Sequence, residues 1–188
     1  RAAGIYMSTG IVRNCTIVSN RCYAGAMWGQ VRGAGIYMDG GLVENCVIAS
    51  NSAAGIYNAT WGYAGGLYIG NGTVRNCRIE ANAVDCDRNN AGGGIYVYGG
   101  TVENCLIVRN GVFGNPGGPD YRRGGGGGAK ITGGEMRSCT IADNVGTNHP
   151  GSGLRQCGGT VRNCIVYFNS GAAAELARSV RQGNLPGH

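Results

Sequence analysis

The residues able to do chemistry are nine cysteines, ten Asp and Glu, and two His in a chain of 188 residues. Thiols suggest a metal or a redox centre, and carboxylates suggest glycosidic chemistry, so spacing decides. A zinc site wants paired Cys or His two to four residues apart, and no C-x-x-C occurs. Six cysteines recur at long range instead: Cys15, Cys46, Cys77, Cys105, Cys139 and Cys164, separated by 31, 31, 28, 34 and 25 residues. Cys22, Cys86 and Cys157 stand outside that series, and an odd total leaves at least one thiol free unless it pairs between chains. A glycosidase needs two carboxylates ~5 to 9.5 Å apart. Asp39, Asp85, Asp87, Asp120 and Asp143 are the candidates, yet no two occupy matching positions of adjacent repeats, so no catalytic residue is assigned. Alternate carboxylates in Asp85-Cys86-Asp87-Arg88-Asn89 faintly suggest a calcium loop, but a loop of that type needs Glu at its twelfth position, which is Tyr96. The Gly run 124–128 lacks the Lys-Ser/Thr of a phosphate loop. The expectation is therefore no metal and no cofactor, with the six recurring thiols filling a narrow apolar interior as small hydrophobes.

What must position these cysteines is a repeat. The pattern V-x-N-C-x-I-x-x-N occurs at 12–20, 43–51, 74–82, 102–110, 136–144 and 161–169, where Met136 replaces the first Val and Ser138 one Asn. A second segment, G-I-Y-M or a relative, precedes each copy, beginning at Gly4, Gly35, Gly66, Gly94, Gly128 and Gly153. The 38 glycines exclude a helical protein, because each costs ~1 kcal/mol relative to Ala inside a helix. A hydrophobic content of 43% argues against disorder. Apolar runs of three to five residues read as strands. In G-I-Y-M, Ile and Met face inward and Tyr outward; in T-V-R-N, Val faces inward. The phase then shifts at Asn, which tolerates the left-handed conformation of a corner. Three short strands and three bends per unit give an all-β, right-handed parallel β-helix of about six coils over residues 1–170, on the order of 30 Å long. Residues 171–188 form a tail with a helix-like stretch at 172–182, where Leu176 and Val180 share a face; it would cap the last coil or lead into a further domain.

Units such as GGGIYVYGGTVENCLIVRN, residues 92–110, resemble the right-handed parallel β-helix repeats of the pectate-lyase-like superfamily. The pairing of G-G-[ILA] with [I/F]-x-x-N is similar to that of chlamydial polymorphic outer-membrane proteins and related bacterial surface adhesins, with Ile or Val166 here where Phe is usual. The resemblance covers residues 2 to about 170 and implies an architecture shared by adhesins, phage spikes, lyases and structural fibres. Lyases of this kind use clustered Asp for calcium and a basic residue as proton acceptor. The face corresponding to the first strand lines their substrate groove.

Stacking turns each aligned position into a ladder at ~4.8 Å spacing. One Asn ladder runs Asn14, Asn45, Asn76, Asn104, Ser138, Asn163 and another Asn20, Asn51, Asn82, Asn110, Asn144, Asn169; both read as corner-stabilising amides. Charges after Val run Arg13, Glu44, Arg75, Glu103, Arg137, Arg162, an alternation that fixes register except for its final like-charge step. The outward column Tyr6, Tyr37, Tyr68, Tyr96, Lys130, Arg155 offers a flat aromatic strip for sugars or a protein. Variable loops add Tyr23, Trp28, Trp61 and Tyr63, then Phe113, Tyr121, Arg122 and Arg123, then His149. The binding candidates are thus Tyr6, Tyr37, Tyr68, Tyr96, Trp28, Trp61, Tyr63, Tyr121 and Arg122, with a carbohydrate or protein partner. A dispersed net charge of +6 speaks against nucleic acid, and no apolar run is long enough to span a membrane. Because the chain begins inside a coil, end-to-end or homo-oligomeric packing, or continuation into a longer chain, is expected. The functional expectation is a non-enzymatic, extracellular module of a bacterial surface or fibre protein serving adhesion, recognition or spacing. The alternative is a polysaccharide lyase or glycoside hydrolase.

Overall fold

Corners come first, because they set where each strand stops. Asn14, Asn45, Asn76, Asn104, Ser138 and Asn163 all hold φ between 51° and 55° in the computed structural model, the left-handed region that Asn enters most cheaply among side-chain-bearing residues. That conformation flips the side-chain phase, so that Val before the corner and Cys after it both point inward, as the sequence pattern requires. The structure describes residues 3–24, 29–55, 60–86, 88–113, 124–147 and 150–172. Trp28, Asp87, Asp120, Tyr121, Arg122, Arg123, His149 and the helix-like stretch from residue 173 onward lie outside them.

The chain is an all-β parallel solenoid of six coils. Each coil contributes one strand to each of four six-stranded parallel sheets. In the first coil these are Ile5–Met7, Ile11–Arg13, Thr16–Val18 and Arg21–Ala24, assigned in that order to sheets A to D. The expected three strands per unit are therefore four: the segment after the second Asn, read as the start of a loop, is sheet D. It continues through Ser52–Gly55, Ala83–Cys86, Gly111–Phe113 and Val145–Thr147 to Ser170–Ala172, so the solenoid runs through residue 172. A short fifth sheet, E, stacks Gln30–Arg32, Trp61–Tyr63 and Arg88–Ala91.

Sheets A, B and C close around one core. Ile36, Met38, Val43, Ile48, Leu67, Ile69, Val74 and Ile79, with their equivalents in later coils, are buried. Cys46, Cys77, Cys105 and Cys139 are buried among them, whereas Cys15 and Cys164, on the first and last coils, are exposed and half-buried. The column of thiols is thus inward, as expected. Strand registers are uniform, for example Ile36↔Leu67↔Ile95 and Val43↔Val74↔Val102.

The two Asn columns play different parts. The first occupies the left-handed corners, and its Asn14, Asn45, Asn76, Asn104 and Asn163 are exposed. The second is a buried amide ladder. Asn51, Asn82, Asn110 and Asn144 each donate their backbone N–H and their Nδ2 to the Oδ1 of the Asn one coil on, at 2.9–3.0 Å. Nδ2 also donates to an Ile carbonyl of the coil before, as Asn82 does to Ile48 at 2.8 Å. At this corner the preceding residue takes the positive φ: Ser19, Ser50, Ala81, Arg109, Asp143 or Phe168. The ladder also explains the glycine that opens G-I-Y-M, since a Cβ on Gly66 would lie 2.9 Å from Asn82 Nδ2 and 2.5 Å from the Gly94 carbonyl.

Register on sheet B is reinforced by charge. Glu44 bridges Arg13 at 3.3 Å and Arg75 at 2.7 Å, and Glu103 takes the Arg137 Nε at 2.9 Å. The expected Arg137–Arg162 repulsion is relieved because Arg162 turns to Glu135 instead. A second cluster, unread in the sequence, joins Glu80 to Arg78 and Arg109 on sheet C; the Arg78 hydrogen bond holds the Glu80 carboxyl below its ordinary range.

Two stability outcomes follow from these ladders. Asn110→Ala leaves the buried Asn82 backbone N–H without its acceptor and takes one of two acceptors from Asn82 Nδ2; urea denaturation should show a loss of about 1–3 kcal/mol. Glu44→Arg replaces two attractions with two repulsions, so its melting temperature should fall, by more in low salt than in high, with a loss of about 1–3 kcal/mol.

Candidate functional site

The fifth sheet builds the site. In the first three coils the chain leaves sheet D, adds a strand of sheet E, and turns back into sheet A through residues with positive φ: Gly33 at 59°, Ala64 at 63° and Gly92 at 64°. Space explains the glycine at 33, where a Cβ would lie 2.0 Å from the Ile36 carbonyl oxygen and 3.1 Å from Tyr68 Cβ. This tight return packs sheet E against sheet D, where Val31 joins Ala53 and Val84 in one apolar cluster, and brings Arg32 and Tyr63 at its edge onto the tyrosine column.

That column does point outward, but it is not the open strip expected. Exposure falls from 58% at Tyr6 to 6% at Tyr68 and 8% at Tyr96. The rings stack on one another along the solenoid axis: Tyr6–Tyr37, Tyr37–Tyr68 and Tyr68–Tyr96 centroids are 5.5, 5.0 and 5.3 Å apart, with interplanar angles of 26°, 2° and 7°. Tyr63 packs edge-on against Tyr96 at 5.2 Å. The Arg32 guanidinium lies 5.8 Å from the Tyr63 ring and 5.5 Å from that of Tyr68. Lys130 ends the stack, its ammonium 5.5 Å from the Tyr96 ring. The ring faces of the inner tyrosines are thus occupied by neighbours, and only their edges and hydroxyls remain for a ligand.

Burial sets the electrostatics. It pushes the Tyr68 phenol up to about 12 and raises Tyr96. The Tyr37 phenol is raised by burial first and then by its hydrogen bond with Asp39, with Arg32 pulling the other way. Lys130, 5% exposed, is lowered to about 8 by burial and then by the charge of Arg155.

Beside the column lies an open depression of about 420 Å³, lined by Arg32, Tyr37, Asp39, Tyr68, Gly70, Asn71 and Tyr98. Its origin is a missing side chain. Residues that directly follow the sheet A strands form their own column, Ser8, Asp39, Gly70, Tyr98, Thr132 and Cys157, each N–H from Asp39 onward bonding a strand-end carbonyl one coil back. Gly70 leaves a notch between Asp39 and Tyr98, and a Cβ there would stand 2.8 Å from Asp39 Oδ1. The Tyr6 hydroxyl donates to Asp39 Oδ2 at 3.2 Å, fixing the carboxylate at the rim. Arg32 donates to Gln30 Oε1 at 2.7 Å, which fixes its guanidinium in turn. A smaller hollow of about 140 Å³ continues between Arg32, Tyr63, Tyr68, Tyr96 and Tyr98.

Of the residues expected to bind, Tyr37, Tyr63, Tyr68 and Tyr96 come together here, and Tyr6 reaches the site through Asp39. Trp61 is half-buried on sheet E. Arg32, Asn71 and Tyr98 were missed, although Tyr98, two residues beyond Tyr96, would have emerged from extending the alignment one column. The other described acid candidates stand apart: Asp85 is exposed on sheet D and Asp143 exposed at a corner. The segment read as a faint calcium loop is closed by Asn90, which accepts from the Cys86 N–H at 3.0 Å and donates to the Cys86 carbonyl.

All nine cysteines are free thiols. Cys22 and Cys86 lie on sheet D with the strand Ser52–Gly55 between theirs. In the inward column each Sγ donates to the carbonyl two residues back, at 3.1–3.3 Å, as Cys77 does to Arg75. Hydrogen bonds between neighbouring thiols lower Cys77 and Cys139 and raise Cys105 and Cys164. No described helix is long and apolar enough to cross a membrane.

A family model described as the right handed beta helix region matches residues 1–135. No curated protein and no solved structure matches the chain.

Lys130 makes stability depend on pH. Its folded pKa of about 8 lies below the ordinary value of 10.5, so the folded state binds the proton less well than the unfolded one, and stability falls as pH drops from about 10.5 toward about 8, then levels off. The buried tyrosines act oppositely and only above about pH 10, their ordinary value. The melting temperature of Lys130→Met measured against wild type should lose the rise between about pH 8 and 10; an identical slope in both proteins would refute the assignment.

Proposed function

The chain belongs to the right handed beta helix family, and from that premise we propose that it is a recognition module of an extracellular surface or fibre protein whose Tyr–Arg notch binds a hydroxyl-rich ligand, a carbohydrate. The supporting observation is the mixture of groups around one rigid depression: the Asp39 carboxylate, the Arg32 guanidinium, the Asn71 amide and the tyrosine hydroxyls. Sugars present donors and acceptors on every face, and a preorganised set of both kinds matches them without a reacting pair of carboxylates. Tyr98, 63% exposed, is the aromatic side chain whose ring is available to a sugar face. The adhesive role is read from this surface, and the solenoid beneath it supplies rigidity.

Glycan-array binding followed by calorimetry tests the reading. Arg32→Ala and Tyr98→Ala should each weaken binding by about tenfold or more, the scale of a hot-spot contact. Gly70→Leu should abolish it by filling the notch while leaving the melting temperature little changed. Full affinity in all three variants, or release of reducing or unsaturated sugar ends by the wild type, would overturn it in favour of another surface or of catalysis.

A further inference from the structure

The inward cysteine column plays no part in the groove and carries a separate inference. Neighbouring cysteines are stacked directly: the Arg78 N–H donates to the Cys46 carbonyl, Leu106 to Cys77 and Thr140 to Cys105, each at 2.9 Å. Flanking pairs Val74↔Val102 and Ile79↔Ile107 are in register, so successive cysteines stand one strand spacing apart, about 4.8 Å. That spacing decides what two neighbouring sulfurs can share. A disulfide wants Cβ atoms about 3.8 Å apart, nearer than in-register strands allow, and every thiol is free. Two metal–thiolate bonds of about 2.3 Å laid end to end span about 4.6 Å, which fits. Among the described residues no three His, Cys, Asp or Glu converge to hold a metal, so an ion demanding four or six ligands has no seat. An ion satisfied by two sulfurs in line does. Soft thiolates select such ions, copper(I) among them, and the surrounding Val74, Ile79, Val102, Ile107, Met136 and Ile141 are fully buried and offer no competing oxygen side chain.

We propose that the column is a linear site for copper(I), each ion held between the thiolates of two successive coils, with Cys77, Cys105 and Cys139 as its centre. Each ion that joins a pair displaces two thiol protons to solvent, forms two copper–sulfur bonds and transfers no electron. Disjoint pairing of the six cysteines gives three ions per chain; where adjacent sites fill, one thiolate bridges two ions and fewer protons leave per ion.

The test uses the whole chain, anaerobic and reduced, with Cys22→Ser, Cys86→Ala and Cys157→Ser removing the three thiols outside the column. Copper(I) supplied as its acetonitrile complex against a chromogenic chelator should be retained at three or more ions per chain. X-ray absorption should show two sulfurs per copper, at a distance shorter than the ~2.3 Å of four-coordinate zinc–thiolate bonds, as two-coordination requires. Cys77→Val, Cys105→Val and Cys139→Val in the same background, which keep the core apolar, should remove most of that uptake. Should this variant fail to fold, alkylation mapping on the parent decides instead: copper loading should protect Cys77, Cys105 and Cys139 from a thiol reagent under denaturing quench. Retention of at most one ion, a three-coordinate or oxygen-rich copper shell, undiminished uptake in a folded valine variant, or unprotected column thiols would each overturn the proposal.

Discussion

In sheets A to D every coil is stacked on the next in parallel and in register, so each side chain there sits one strand spacing from its own counterpart. That constraint governs which residues the chain can use. The columns that repeat one residue type or pattern are those whose members attract their own kind or alternate with an opposite. Asn qualifies because one amide holds both donor and acceptor, and the buried ladder from Asn51 to Asn144 uses both at every step. Tyr qualifies by offset stacking, and Ile, Val and Cys by packing. Charge does not qualify, and so sheet B alternates Arg and Glu. Where alternation fails at Arg137 and Arg162, the second arginine pairs sideways with Glu135.

The same constraint frames the proposed site. Regular columns form a closed network with little surface left to offer, so the proposed recognition rests on departures from them. Two departures coincide here. Among the described residues sheet E has strands only in the first three coils, and in the column following sheet A the rung at Gly70 carries no side chain. The first brings Arg32 over the tyrosines, and the second opens the space that Asp39 and Tyr98 flank. Neither would make a site alone: without the notch Arg32 would rest on a sealed stack, and without sheet E the notch would lack its cation.

How much of this was legible follows from the same physics. Core columns repeat strictly, so the six coils, the inward cysteines and the Asn corner with its phase shift could be read from residue types. Sheet D could not, because its strands, such as Arg21–Ala24, Ser52–Gly55 and Gly111–Phe113, are rich in Gly and Ala and share no pattern; their partners are fixed by the ladder before them. Burial of Tyr68 and Tyr96 was hidden for a related reason. The strands that cover them, Trp61–Tyr63 and Arg88–Ala91, come from segments of dissimilar sequence, and a covering layer leaves no periodic trace in the face it covers.

Ring orientation narrows what the site can hold. In a stack with interplanar angles of 2° and 7°, each inner tyrosine has both faces against a neighbour, so a sugar cannot lie flat along the column one ring per coil. Contact is confined to hydroxyl edges and to the single rung where Gly70 interrupts the next column. A ligand that fits is therefore engaged at one place, crossing the notch between Asp39 and Tyr98, instead of being tracked along the solenoid. The rigidity of the stacked coils then fixes the donor and acceptor positions in advance, which lowers the ordering cost of binding and leaves selectivity to a few side chains around one absent one.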